Sequence, residues 1–250
     1  MIKVSLEKLL EAGCHFGHRT SRWHPKMAKY IYKAQGKVHI IDLAKTKAGL
    51  EEAAAFAKAT AAEGDQIIFI ATKREARQIV QKAAEEAGMP YVTYRWLGGL
   101  ITNWEKIKGN LDRLKDLKAK REAGEFKEYT KKERLQIDRG ISRQEKVLGG
   151  LQSLEDLPAA IFVVDVRTEE VAVREAAQRG VKVIGIVDTN SNPDLVDYVI
   201  PANDDAPKSI GLIVGLFAEA VEEGKKKFKV QSSKFKSKEE NKDESRTKKT

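Results

Sequence analysis

Cysteine occurs once in the 250 residues, at Cys14, so the chain has no partner for an internal disulfide and is expected in a reducing compartment, the cytoplasm. There is no run of 18 or more apolar residues to cross a bilayer, and the opening Met1-Ile-Lys-Val-Ser lacks the apolar stretch of a secretory signal. Catalytic and phosphate-binding motifs are missing too. No Gly-x-Gly-x-x-Gly follows an expected strand, and neither Gly-x-x-x-x-Gly-Lys-Ser/Thr nor a Gly-x-Ser-x-Gly elbow occurs. Where two apolar runs end, the chain reads Thr72-Lys73-Arg74-Glu75 and Asp165-Val166-Arg167-Thr168. Long side chains there obstruct the close backbone approach that a pyrophosphate needs. The expectation is a protein that is not an enzyme, with no small-molecule substrate and no required cofactor.

What is present is a layout in two parts. Leu-Gly-Gly-Leu is written at residues 97–100 and again at 148–151, and the segment between differs in kind from its flanks. Residues 105–146 hold 14 Lys/Arg against 9 Asp/Glu, with sparse apolar residues at helical spacing. The flanks alternate short Val/Ile runs (66–71, 159–164, 181–187 and a weak 198–200) with alanine-rich amphipathic stretches (45–62, 74–87, 168–178, 208–223). Gly64, Gly88 and Gly180 stand as helix stops. Residues 30–32 and 38–43 flank a hairpin turn at Gly36. Apolar strands alternating with helices mean a parallel sheet covered on both faces. The fold class expected is α/β: a doubly wound, Rossmann-like (flavodoxin-like) parallel sheet of about five strands. Residues 1–100 and 148–224 form that domain. Residues 101–147 form an inserted coiled-coil hairpin, and 225–250 a basic tail too poor in apolar residues to order itself. The glycine pairs are expected hinges, since glycine turns the backbone freely. In the arm, Leu111, Leu114 and Leu117 on one leg and Leu135 and Ile141 on the other would form a seam, with the turn near Gly124. Two legs of about 20 residues project roughly 30 Å.

The net charge of +9 matters less than its distribution. Residues 1–104 carry 16 basic and 10 acidic groups, 147–224 carry 5 and 14, and the tail carries 11 and 4. A chain this polarised has a basic side suited to a polyanion, most often nucleic acid, and an acidic side that repels one. The acidic loops are therefore a candidate protein-docking face. Lysine-rich solubility is the plainer explanation of the basic segments.

Residues 13–27 pack three of the four histidines, three basic residues and a tryptophan into fifteen positions. Arg19, Arg22 and Lys26, interleaved with Trp23, suit phosphates and an unstacked base. Packing against the core is an equal alternative for Trp23. Trp96 and Trp104 could simply wedge the arm onto the domain, and Arg95 beside them is the better RNA candidate. On the arm, Lys106, Lys108 and Arg113 are candidate phosphate contacts, against the alternative of a plain solvated coiled coil. His15 and His18, with Asp188 and Asp204 expected at the carboxyl edge of the sheet, form a candidate Zn²⁺ set of two imidazoles and two carboxylates. The competing reading makes the histidines core or RNA-contacting groups and the aspartates turn caps.

The segments GCHFGHRTSRWHPKM, IYKAQGKVHIIDL, FIATKREA, YRWLGGLITN, DVRTEEVAVREAAQRGVKVIGIVDTNSNPDLVDYVIPANDDA and KSIGLIVGLFAEAV, in this order, resemble the bacterial-type small-subunit ribosomal protein S-two family. The likeness covers roughly residues 1–225, arm included. It implies a Rossmann-like domain with a protruding coiled-coil hairpin and a structural place on small-subunit rRNA. It also implies neighbouring small-subunit proteins as partners, among them protein S-one, which captures mRNA. His24 departs from the small polar residue expected there, and the lysine-rich tail beyond Phe228 is peculiar to this chain. A ribosome of the cytoplasm or of an organelle would fit. The reading from another class is a nucleotide-dependent α/β enzyme with an RNA-binding arm, which tight nucleotide binding by the isolated protein would favour.

Overall fold

The computed structural model describes residues 4–247, with side chains described through Val230. A short helix α1 (Leu6–Glu11), capped by the Ser5 hydroxyl, leads into a strand β1 (Phe16–Arg19). Strands β2 (Ile31–Gln35) and β3 (Val38–Ile41) form a hairpin, and β1 adds to β3, giving an antiparallel sheet in the order β1-β3-β2. Gly36 (φ 57°) and Lys37 (φ 65°) both take the left-handed region at the turn, as a two-residue hairpin loop requires. β1 has no apolar run to announce it. It exists because β3 offers it an edge, and its register slips between Phe16 and Arg19.

The main sheet follows. Helix α2 (Leu43–Glu63) is capped by the Asp42 carboxylate and stopped by Gly64 at φ 94°. Strand β4 (Ile67–Ile70), helix α3 (Arg77–Ala87) and the two-residue β5 (Tyr91–Val92) precede the arm. The arm is α4 (Trp104–Ala123) and α5 (Lys131–Leu148), after which come β6 (Ala160–Val164), α6 (Glu170–Gln178), β7 (Lys182–Val187), β8 (Tyr198–Pro201) and α7 (Pro207–Thr247). The five strands pair in parallel in the order β5-β4-β6-β7-β8, which is the flavodoxin-like winding. Alternation along the strands splits the core in two. Phe69, Phe162 and Ile184 pack with α2, α3 and α7, while Ile68, Ile161 and Val183 pack with α6 and the root of the arm.

The arm is a helical hairpin whose legs meet at Ile107, Leu111, Leu114 and Ile141, all buried, with Leu117 and Ile137 partly so. Leu135, expected in the seam, is half exposed, and Ile137 faces the other leg instead. Both sit on one helix two residues apart, about 200° around the axis, so only one of them can face inward. Gly124 turns the chain at φ 75°, and a Thr130–Glu133 capping box opens α5.

The glycine pairs are anchors rather than free hinges. At the first, the carboxylate of Glu175 on α6, itself buried, accepts from Trp96 Nε1 (3.2 Å), the backbone of Gly99 (2.7 Å), Ile101 (3.2 Å) and Thr102 (3.4 Å), and the Thr102 hydroxyl (3.2 Å). At the second, a Cβ on Gly150 would lie 2.3 Å from the Tyr91 carbonyl oxygen, so glycine there permits a close approach to β5. Trp96 and Trp104 are buried in this root, which is their packing role.

The boundary expected after Gly224 also moves, because α7 continues without a break. Lys225 donates to the carbonyls of Ala87 (3.3 Å) and Gly88 (2.6 Å), capping the end of α3, and the Phe228 ring lies against Gly64. An ammonium at a helix C-terminus and a half-buried ring are each worth about 1 kcal/mol. Truncation after Val230 is expected to leave the melting temperature unchanged, while truncation after Gly224 lowers it by several degrees, about 2–4 °C per kcal/mol for a domain of this size. Equal melting of the two truncations would remove the capping role. The expected disorder falls on residues whose backbone belongs to α7 as far as Thr247, and residues 248–250 lie outside the described residues.

Candidate functional site

The carboxyl ends of β4, β6, β7 and β8 converge on one crevice, where ligands of this fold class collect. Here it is filled by the protein itself. Lys73, just past β4, places its ammonium 2.9 Å from Asp204, 2.5 Å from Asp205 and 3.3 Å from Asp165. Burial pulls the Lys73 pKa down, but these carboxylates outweigh it and hold it above the usual lysine value. Asp165 sits at φ 66°, and its carboxylate caps the next turn by accepting from the Thr168 amide and hydroxyl. Glu169 accepts from the Thr72 amide at 2.9 Å and from its hydroxyl, closing the gap between β4 and β6. A phosphate brought here would meet four carboxylates and a lysine already engaged.

The N-terminal segment covers the other half of the crevice. Thr189, after β7, receives the His18 amide on its hydroxyl (2.8 Å) and the His24 amide on its carbonyl (2.7 Å). His18 then lies with Nδ1 3.1 Å from Asp188 and Nε2 3.4 Å from Asp205. The hydrogen bond to Asp188 is the main cause that raises its pKa above the ordinary imidazole value, against the opposing effect of burial. Asp204 is fully buried: Oδ1 accepts from Lys73, and Oδ2 has no hydrogen-bond partner among the described residues. Burial, together with the neighbouring Asp165 and Asp188 carboxylates, pushes its pKa up to about 7.

Ligand atoms of His18, Asp188, Asp204 and Asp205 all lie within 4.8 Å of one another. Of the four expected metal ligands, three are thus brought together. His15 is not among them; Asp205 stands in its place. Residues three apart share a face on a helix but not on an extended strand, and residues 15–18 run into β1. His15 instead packs on Phe16, ring centroids 4.0 Å apart. Asp205 follows the weak strand at residues 198–200 together with Asp204, and the sequence offered it as an acidic residue of the same strand end. Lys73 and Asp165 were legible as obstructing side chains at the ends of two apolar runs, but their pairing, and the role of Glu175, depend on which elements become neighbours.

The expected RNA contacts scatter over two surfaces. Arg19, Arg22, Arg95, Lys106 and Arg113 are exposed, and none forms an ion pair among the described residues. Trp23 is 39% exposed and rests on His39 at 5.1 Å between centroids. Lys26 is paired with Asp194 at 2.5 Å. Lys108 folds back onto the Glu155 carbonyl (2.8 Å) and Asp156 (3.8 Å), so it ties the arm to the domain. The arm therefore offers fewer unengaged cations than its composition suggests.

A profile of the Ribosomal protein S2 family matches residues 9–224, which takes in the whole sheet, the crevice and the inserted arm. The chain belongs to the ribosomal protein S2 family. Among its relatives, the small ribosomal subunit protein uS2 of Psychrobacter cryohalolentis is 46% identical over 230 residues, covering 92% of this chain and 87% of that protein. The protein of the same name from Acinetobacter baylyi is 47% identical over 222 residues (89% of each chain), and that of Oenococcus oeni 45% over 225 (90% and 86%). The S2 family consists of structural components and not enzymes, in keeping with a crevice blocked by its own ion pairs. No helix among the described residues is long and apolar enough to cross a membrane.

Proposed function

We propose that this S2-family chain is a structural constituent of the small ribosomal subunit, working in the cytoplasm or in an organelle. It holds small-subunit rRNA by neutralising phosphates and by shape, and it helps dock neighbouring proteins, including protein S-one for mRNA capture. The observation that carries this is the family membership over both the domain and the arm. Exposed Arg19, Arg22, Arg95, Lys106 and Arg113 support the RNA contacts, since they form no ion pair among the described residues. Exposed Asp205 and the other acidic residues of the strand-end loops suit a protein-docking role at that edge of the sheet. Sedimentation of the tagged protein from a lysate tests the assignment: it co-migrates with the small subunit at physiological salt. A protein found only in the light fractions would overturn it.

A second reading concerns the acidic cluster. His18, Asp188, Asp204 and Asp205 fit a zinc ion in donor type, and the buried, partnerless Asp204 Oδ2 is the atom a cation would satisfy. Such an ion would tie the N-terminal segment to the strand ends and stiffen the docking face. No cofactor is needed for chemistry in this reading. Metal analysis of the purified full chain is expected to find close to one zinc per protein, lost in His18→Ala and retained in His15→Ala. Binding weakens as pH falls through the range where His18 takes its second proton, because imidazolium cannot ligate. Unchanged occupancy in His18→Ala would leave His18 as an ion-pair partner of Asp188 and nothing more.

A further inference from the structure

The crevice is closed, but beside it a second cleft is open. It lies between the loop at residues 21–24 and the segments leaving β6 and β7, has a volume of about 790 Å³, and is lined by Arg22, Trp23, His24, Arg167, Asn190 and Asn192, among others. That volume lies within the roughly 300–1,000 Å³ of ligand-sized clefts. We propose that this cleft receives an unstacked nucleotide of single-stranded RNA, with the base on Trp23 and the flanking phosphates on Arg22 and Arg167. The proposal rests on the ribosomal reading above and adds a pocket to it that combines stacking with charge.

Four features support it. Trp23 is 39% exposed, and its ring packs at a tilt of 41° on His39, centroids 5.1 Å apart. Arg22 and Arg167 are exposed and form no ion pair among the described residues. The one acid on the lining, Glu170, is already paired with Arg174 at 2.6 Å. Asn190 and Asn192 use their side-chain oxygens locally, accepting from the Ser191 hydroxyl (3.0 Å) and the Asp194 amide (3.1 Å), which leaves their amide NH₂ groups to donate to acceptors on a base edge.

The cleft is also preformed. Its two walls are joined by the His24 amide to the Thr189 carbonyl at 2.7 Å and by the Lys26–Asp194 pair at 2.5 Å. An aromatic face, two guanidinium groups with no ion pair among the described residues, and amide donors in one cleft suit a splayed nucleotide better than a duplex, which offers no open base face. An apolar or basic peptide would leave the arginines unmatched.

Tryptophan fluorescence of the full chain, titrated with a short single-stranded oligoadenylate, reads the site directly because Trp96 and Trp104 are buried. The expected result is saturable quenching that a duplex of the same length does not produce. Trp23→Leu, read by the anisotropy of a labelled oligoadenylate, weakens binding roughly tenfold. Arg167→Gln, on an exposed residue that leaves the fold intact, weakens binding by a similar factor and lowers the salt slope by about one. Equal quenching by the duplex, or Arg167→Gln binding like the wild type, overturns the proposal. Reconstituted small subunits separate its failure from that of the ribosomal reading. If the wild-type protein does not enter subunits, the ribosomal reading fails. If it enters, but ribonuclease treatment leaves Arg22 and Arg167 protected from an arginine reagent, the cleft is a protein dock and the nucleotide site is wrong.

Discussion

Replacing Glu175 with alanine is expected to cost about 3–5 kcal/mol and to loosen the root of the arm, an effect out of proportion to one substitution on a helix. The carboxylate collects five donors from the first glycine pair and its neighbours. Removing it leaves the Trp96 indole N–H and the Ile101 amide buried with nothing to donate to, which costs more than the lost bonds themselves. Glu175→Gln keeps the shape and one acceptor oxygen, so an intermediate loss of about 1–2 kcal/mol follows. Burial raises the Glu175 pKa, but the Gly99, Trp96, Ile101 and Thr102 donors outweigh it and hold it below the usual glutamate value. A group with a depressed folded-state pKa contributes stability that is present above its unfolded pKa and lost as pH falls through the folded one. The wild type therefore loses this part of its stability at acid pH, and Glu175→Ala has none of it to lose. Urea unfolding at neutral and acid pH measures both. Equal midpoints for wild type and alanine variant at neutral pH would show that the root is held by packing alone.

What could be read in the sequence, and what could not, divides along a physical line. Local signals held: Gly64, Gly88 and Gly124 end helices at positive φ, and the Val/Ile runs became parallel strands. The alternation of strand and helix implied a parallel sheet, while its order β5-β4-β6-β7-β8 is seen only in the structure. Signals that depend on who becomes a neighbour did not hold. β1 forms only because β3 provides an edge, so Phe-Gly-His-Arg reads as loop until that partner is known. The expected pair His15 and His18 had the spacing of a helix face, but the backbone there is extended, and Asp205 completes the cluster instead. Lys225 and Phe228 belonged by composition to the tail, while the carbonyls and the glycine they cover lie at the ends of α3 and α2, far away in sequence.

Deleting the arm should have opposite consequences depending on where it is cut. The glycine pairs mark the insertion in sequence, which suggests that residues 101–147 can be excised cleanly. The packing says otherwise. Ile101, Trp104, Ile107, Leu111 and Leu114 belong to the same buried cluster as Ile68, Val92, Val163 and Val173 of the domain. Removing them exposes one face of the sheet, and at about 25 cal/mol per Å² even a few such side chains exceed what a marginally stable domain has in reserve. Replacing residues 101–147 with a glycine linker is therefore expected to give an aggregating or molten protein. Replacing only 119–136 keeps that root with Leu117 and Ile137 packed on it, and is expected to fold with a melting temperature close to the wild type. The shortened protein then tests what the distal arm does. Under the ribosomal reading it enters small subunits less well, and the deficit grows with salt, because cations such as Lys127, Lys131, Lys132 and Arg134 are gone while Arg113 stays. Incorporation equal to the full chain across salt concentrations would show that the tip of the arm carries no RNA contact, and would confine binding to the root and the N-terminal segment.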